Sequence, residues 1–194
     1  MDMARQKSAK SIKNILVLCI LAILVGANLV LSSVIESQKQ AELSGQGATA
    51  MCFVNTNASH GSCLSVTTSP YAWTFGISNS VIGIIAFSVL EVMVLCALAL
   101  QAWPAASGKR QARMLSQRRV LMLRLIALAL WIGSAWALYL IALQAFVLGE
   151  YCTFCLIIDT ITIACATLVL VLFRHDLFAY SYTLVPRVKP RVKS

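Results

Sequence analysis

Seven cysteines fall into two kinds by their surroundings. Cys19, Cys96 and Cys165 lie within apolar runs, where a thiol serves as a small hydrophobe. Cys52, Cys63, Cys152 and Cys155 lie at polar or boundary positions and can do chemistry. Cys152-Thr153-Phe154-Cys155 has the C-x-x-C spacing, which suits either thiol–disulfide exchange or zinc ligation. Cys52 and Cys63 share a stretch with Gly45, Gly47, Asn55, Asn57 and Gly61, a composition that favours turns and mobility. Exchange requires a thiolate to reach a sulfur directly, so a mobile pair beside a fixed pair can relay electrons. The same four sulfurs could instead hold zinc or form two static disulfides. His60, three residues before Cys63, is a candidate for tuning that thiol.

The elements that must position these cysteines follow from the apolar runs. Of the 194 residues, 59% are hydrophobic and 12% charged, against about 45–50% and about 25% in soluble domains. Four runs are long enough to cross a hydrocarbon core about 30 Å thick, which takes about 20 helical residues. They are Ile15 to Ile35, Asn79 to Trp103, Val120 to Leu148 and Thr153 to Phe173. Unbroken runs of this length satisfy their backbone groups in lipid only as helices. The first is not read as a cleaved signal peptide. Its apolar part is too long, and Asn28, Leu29 and Val30 make a poor cleavage motif. The expected fold is an all-α membrane protein, a four-helix bundle, with a short interfacial helix over Ser65–Trp73 in the outer loop. Tyr71 and Trp73 suit the headgroup level. The chain divides into a basic N-terminus (1–14), a membrane redox domain (15–173) and a basic cytoplasmic tail (174–194). The membrane domain includes an outer loop (36–77) and a cytoplasmic loop (104–119).

The net charge of +9 is arranged by topology. Arg5, Lys7, Lys10 and Lys13 precede the first run. Lys109, Arg110, Arg113, Arg118, Arg119 and Arg124 surround the start of the third. Arg174, Arg187, Lys189, Arg191 and Lys193 follow the fourth, and Lys39 alone falls on the other side. The positive-inside rule makes the basic side cytoplasmic and puts both termini there. Basic residues beside spans are attracted to anionic lipid, and no reading motif accompanies them to suggest nucleic acid. All four polar or boundary cysteines then meet on the outer face, where disulfides persist. Cys152 falls at the start of the fourth span. A helix N-terminus favours anions and can lower a thiol pKa. Cys155, one turn in, sits where a lipid-soluble quinone can arrive.

An ordered set of residues resembles the vitamin K epoxide reductase family, in particular its bacterial members that oxidise a disulfide-forming partner. The set is Cys52, Cys63, Cys63-x5-Ser69, Phe75-Gly76, Asn79-Ser80-x-x-Gly83 and Cys152-x-x-Cys155 opening the last span. The resemblance runs from about Ile15 to Phe173. It implies a four-helix bundle around a quinone (menaquinone or ubiquinone) in a bacterial cytoplasmic membrane, with no metal. Cys155 would be the sulfur nearest the quinone, Cys152 would exchange with Cys63, and Cys52 would meet a separate extracytoplasmic thioredoxin-like protein. Ser69 and Asn79 would line the quinone pocket, with Asn79 donating a hydrogen bond; its alternative is to cap the second span. Phe75 and Asp159 are expected at the same pocket.

Asp159 stands where the family's animal members carry a tyrosine, which counts against vitamin K epoxide as substrate. A carboxylate in a span is costly and often functional; the alternative places Asp159 at surface level. Glu91, mid-span, is expected to face the bundle interior or another subunit. The tail carries Pro186 and Pro190 and reads as disordered, so the oxidised partner is expected to be a separate chain. Three other functions compete with disulfide generation: vitamin K quinone or epoxide reduction, a non-catalytic membrane protein with an outer zinc site or structural disulfides, and a small transporter. The spans hold few paired charges along a path, which disfavours the last.

Overall fold

The computed structural model describes residues 2–44, 63–102, 109–149 and 151–178. Cys52 and His60 lie outside them, as does residue 179 onward. The elements are α1 (Asp2–Leu43), α2 (Cys63–Thr68), a 3-10 turn (Pro70–Ala72), β1 (Trp73–Thr74), β2 (Ile77–Ser78), α3 (Asn79–Ala102), α4 (Lys109–Leu143), a π-helical segment (Gln144–Leu148) and α5 (Thr153–Phe178). Helices α1, α3, α4 and α5 are each long and apolar enough to span a membrane, as the runs predict. α1 packs chiefly on α3 and α4 chiefly on α5, while α1–α5 and α3–α4 contacts close the ring.

The ring is filled differently at its two ends. At one end Leu18, Leu21 and Val25 of α1 meet Val94 of α3, Ile126 and Leu130 of α4, and Val169 and Phe173 of α5 in one buried apolar cluster. At the other end the buried residues include Asn28, Ser32, Ser134, Gln144, Asp159 and Thr162. Asn28 Nδ2 donates to Thr162 Oγ1 at 3.1 Å and to the Ile158 carbonyl at 3.3 Å, tying α1 to α5. Outside, Ile23, Val30, Val92 and Ile132 expose more than half their surface. In water these would be liabilities; against lipid tails they are solvated.

Four elements depart from the sequence reading. Helix α4 starts at Lys109, inside the expected loop 104–119, and α5 runs to Phe178, five residues into the tail read as disordered. The other two are α1 and the expected interfacial helix. α1 continues through Glu36 to Leu43, so Lys39 belongs to its last turns and not to a loop. Nothing in 36–43 breaks a helix, and Gln40 Nε2 donates to Glu36 Oε1 at 3.1 Å one turn back. The helix expected over Ser65–Trp73 instead covers Cys63–Thr68 and stops short of Pro70. Proline disfavours helical geometry in the residue before it, and Ser69 is extended (φ −60°, ψ 156°). Trp73 starts a two-stranded antiparallel hairpin, with Trp73 opposite Ser78 and Thr74 opposite Ile77. Its turn residues, Phe75 and Gly76, have φ of 53° and 78°. Positive φ at both positions matches the twist of a tight hairpin, and Gly76 adopts it without steric cost.

Gly83 sets the approach of α3 to α1, because a Cβ there would lie 3.3 Å from Ser32 Oγ. Gly26 of α1 has nothing within 4 Å of the same position. Gly83→Leu should therefore destabilise the bundle by about 1–3 kcal/mol through overpacking. Gly26→Ala should leave stability unchanged or slightly raised. Thermal unfolding in detergent checks the contrast; equal effects would contradict the packing.

Candidate functional site

The start of α5 dictates the arrangement of the C-x-x-C pair. The first N–H groups of a helix have no partner within the helix. Cys152 occupies the capping position: its carbonyl accepts the Leu156 N–H at 3.0 Å, and its Sγ accepts the Cys155 N–H at 3.3 Å. Cys155 Sγ also donates to Cys152 Sγ at 2.7 Å. Cys152 sulfur therefore lies at the N-terminal end of α5, against the Cys155 N–H and the Cys155 sulfur. The sequence reading placed it at or just before the first turn of α5, and it precedes that turn by one residue.

The two sulfurs face different surroundings. Cys152 is fully buried, packed with Val66 of α2 and with Leu148, Phe154 and Cys155. Cys155 lines a small, open cavity of about 60 Å³. Its apolar walls are Val66 and Ala72, Leu140 and Leu143 of α4, and Leu148 of the π-helical segment, while Thr67, Ser69, Tyr71, Asn79, Ser80 and Gln144 are its polar lining residues. Small-molecule sites combine such apolar walls with a few placed polar groups. Cys63 begins α2 three residues before Val66, one turn back on the helix that covers Cys152.

Ser69 and Asn79 both reach this cavity. Ser69 Oγ donates to the Val66 carbonyl at 2.8 Å and secures the turn after α2. Asn79 Nδ2 donates to the Tyr71 carbonyl at 3.1 Å, and its Oδ1 accepts from Thr74 Oγ1 at 2.7 Å. Its side chain thus braces the hairpin as α3 begins. Phe75 and Asp159, expected at the pocket, are not among its lining residues. Phe75 is fully exposed at the hairpin tip. Asp159 is buried in the bundle, not at surface level, and one of its carboxylate oxygens, Oδ2, lacks a hydrogen-bond partner. Glu91 is partly buried, with Oε2 unpartnered. Cys52 lies outside the described residues.

Three contributors were not identified from sequence. Gln144 Oε1 accepts the Cys152 N–H at 2.9 Å, crossing the α4–α5 turn. Its signal was available: an amide in an otherwise apolar run, eight residues before Cys152. Lys39 is buried with Nζ 3.9 Å from the Trp73 ring centroid and 3.9 Å from Glu36 Oε2. Glu36 Oε2 also accepts from Ser78 Oγ at 3.1 Å, so charge and hydrogen bonds hold the hairpin to α1. Val66 seals Cys152, a packing role that a lone valine does not announce.

Comparison with known proteins supports the same region of the chain. The model of the vitamin K epoxide reductase family matches residues 14–170. Among curated proteins no match is found.

The burial difference predicts an order of reactivity. In fully reduced protein a small maleimide should modify Cys155 before Cys152, and Val66→Ala should accelerate labelling of Cys152. Peptide mass spectrometry over time reads the order. Faster labelling of Cys152 in the unsubstituted protein would contradict the geometry.

Proposed function

The chain belongs to the vitamin K epoxide reductase family, oxidoreductases of the quinone-linked thiol or vitamin K reductase kind, and from this premise we propose that it generates disulfides at the expense of a membrane quinone. The observation that carries the reading is the division of the sulfurs. Cys155 opens into an apolar cavity, and Cys152 is sealed behind it under the helix that Cys63 begins. One face of the pair is thus available to a lipid-borne substrate and the other to a thiol from the loop.

Electrons enter from a soluble thioredoxin-like protein. Its thiolate attacks the Cys52–Cys63 disulfide at Cys52. A second partner thiolate then attacks the mixed disulfide, leaving the partner oxidised and Cys52 and Cys63 reduced. Cys63 thiolate attacks Cys152 Sγ, the Cys152–Cys155 bond breaks, and Cys155 leaves as a thiolate stabilised by the α5 N-terminus. Cys52 attacks Cys63 and releases Cys152. The reduced Cys152–Cys155 pair gives two electrons and two protons to quinone, yielding quinol and restoring the S–S bond. The cavity residues fit this substrate: apolar walls for a ring, and amides for its carbonyl oxygens.

The distribution of basic residues supports an orientation with both termini cytoplasmic and the cysteine end outward, in a bacterial cytoplasmic membrane. The quinone is menaquinone or ubiquinone. The partner in this reading is an extracytoplasmic thioredoxin-like protein. A carboxylate at Asp159, where animal members carry tyrosine, favours thiol oxidation over epoxide reduction.

Purified protein supplied with a reduced thioredoxin-like protein should reduce added quinone. Cys155→Ala should bring turnover to background, and a partner variant lacking its second cysteine should accumulate as a mixed disulfide on Cys52, with Cys63 released as the thiol. Full turnover in Cys155→Ala would refute the route. Epoxide turnover without disulfide formation would favour the vitamin K reaction instead.

A further inference from the structure

Gln144 has one committed end and one open end. A backbone N–H can only donate, so the amide atom 2.9 Å from Cys152 N is the oxygen. That bond fixes which way the planar amide points. Its nitrogen prong is turned away from Cys152, and Gln144 lines the cavity that Cys155 opens into. The nitrogen is not among the sealed polar atoms that lack a partner, although the residue is only 4% exposed. The nitrogen therefore keeps some accessible surface on a side chain that lines the cavity.

Two other polar side chains of the wall, Ser69 and Asn79, are more occupied. The Ser69 hydroxyl proton is used on the Val66 carbonyl. Asn79 uses one N–H on Tyr71 and its oxygen on Thr74. Gln144 also sits at the first residue of the π-helical segment, which ends at Gly149 in left-handed conformation (φ 64°).

Resting on the reading that the cavity takes a quinone, we propose that Gln144 is a substrate-binding residue whose Nε2–H donates to a quinone carbonyl oxygen while its Oε1 holds the backbone of Cys152. A carbonyl oxygen gains negative charge as electrons arrive from the cysteine pair. A preorganised donor in a water-poor cavity stabilises that charge. The same amide keeps the capping cysteine in register with the substrate, so one side chain sets both the acceptor and the donor of electrons. It also confers selectivity for molecules that place a carbonyl at that point, since an analogue lacking the oxygen leaves the buried N–H unpaired.

The test uses full-length protein in detergent, a small dithiol as reductant and a short-chain 1,4-naphthoquinone as probe. Gln144→Met should raise KM for the quinone about tenfold, the equivalent of one lost hydrogen bond. In infrared difference spectra, a carbonyl band of bound quinone lowered in frequency by hydrogen bonding should return toward the free position. Gln144→Asn keeps an amide but is one methylene too short to serve both partners. It should lose the same band shift, and it covers the case in which Gln144→Met does not accumulate. An unshifted KM and an unchanged carbonyl band in a folded variant would overturn the assignment while leaving the quinone reading intact. Absence of quinone binding and turnover in the unsubstituted protein would instead remove the reading on which it rests.

Discussion

A helix that starts inside a membrane protein must find partners for its first N–H groups, and this constraint organises the cysteine end of the bundle. At α5 the partner is a sulfur. Cys152 Sγ accepts the Cys155 N–H, and the Cys152 N–H is in turn taken by Gln144. Capping satisfies a structural need and concentrates positive potential on the C-x-x-C pair. The proposed chemistry and helix initiation would therefore depend on the same atoms. The turn that precedes α5 is held by α4 through Gln144, and the cavity that Cys155 faces is walled by that same helix.

The rest of the bundle separates rigidity from reactivity. One end is closed by the apolar side chains Leu18, Leu21, Ile126, Val169 and Phe173. The other accepts polar side chains that are expensive at membrane depth. Asn28 recovers part of that cost by bonding to Thr162 and the Ile158 carbonyl. Asp159 retains an unpartnered oxygen one turn beyond Cys155 on the same helix. Over this end the hairpin is fastened to α1 by Lys39, Glu36, Trp73 and Ser78. Asn79 then carries that fixed geometry into the cavity wall.

The spans were legible because lipid leaves few alternatives for long apolar runs, and the basic residues number the crossings without ambiguity. Cys152 and Cys155 were legible through spacing and position, and Ser69 and Asn79 through resemblance. The hairpin was not. An aromatic stretch next to a span reads as interfacial helix, whereas Pro70 stops helical geometry and Phe75 takes a positive φ that a bulky side chain disfavours. Lys39 read as a loop charge because nothing local shows that Trp73, 34 residues away, will cover it. Gln144 was passed over because one amide in a span has many possible roles until its partner across the turn is known.

The central claim is that the Cys152–Cys155 pair itself exchanges electrons with a molecule in the cavity beside it. The most direct measurement isolates that step. A variant with both Cys52 and Cys63 replaced by alanine is reduced, freed of reductant without oxygen and mixed with an equimolar short-chain quinone. A new disulfide linking Cys152 to Cys155 in the digested protein, formed as quinone absorbance is lost in equal amount, is the predicted result. Both thiols surviving beside unreacted quinone would contradict it.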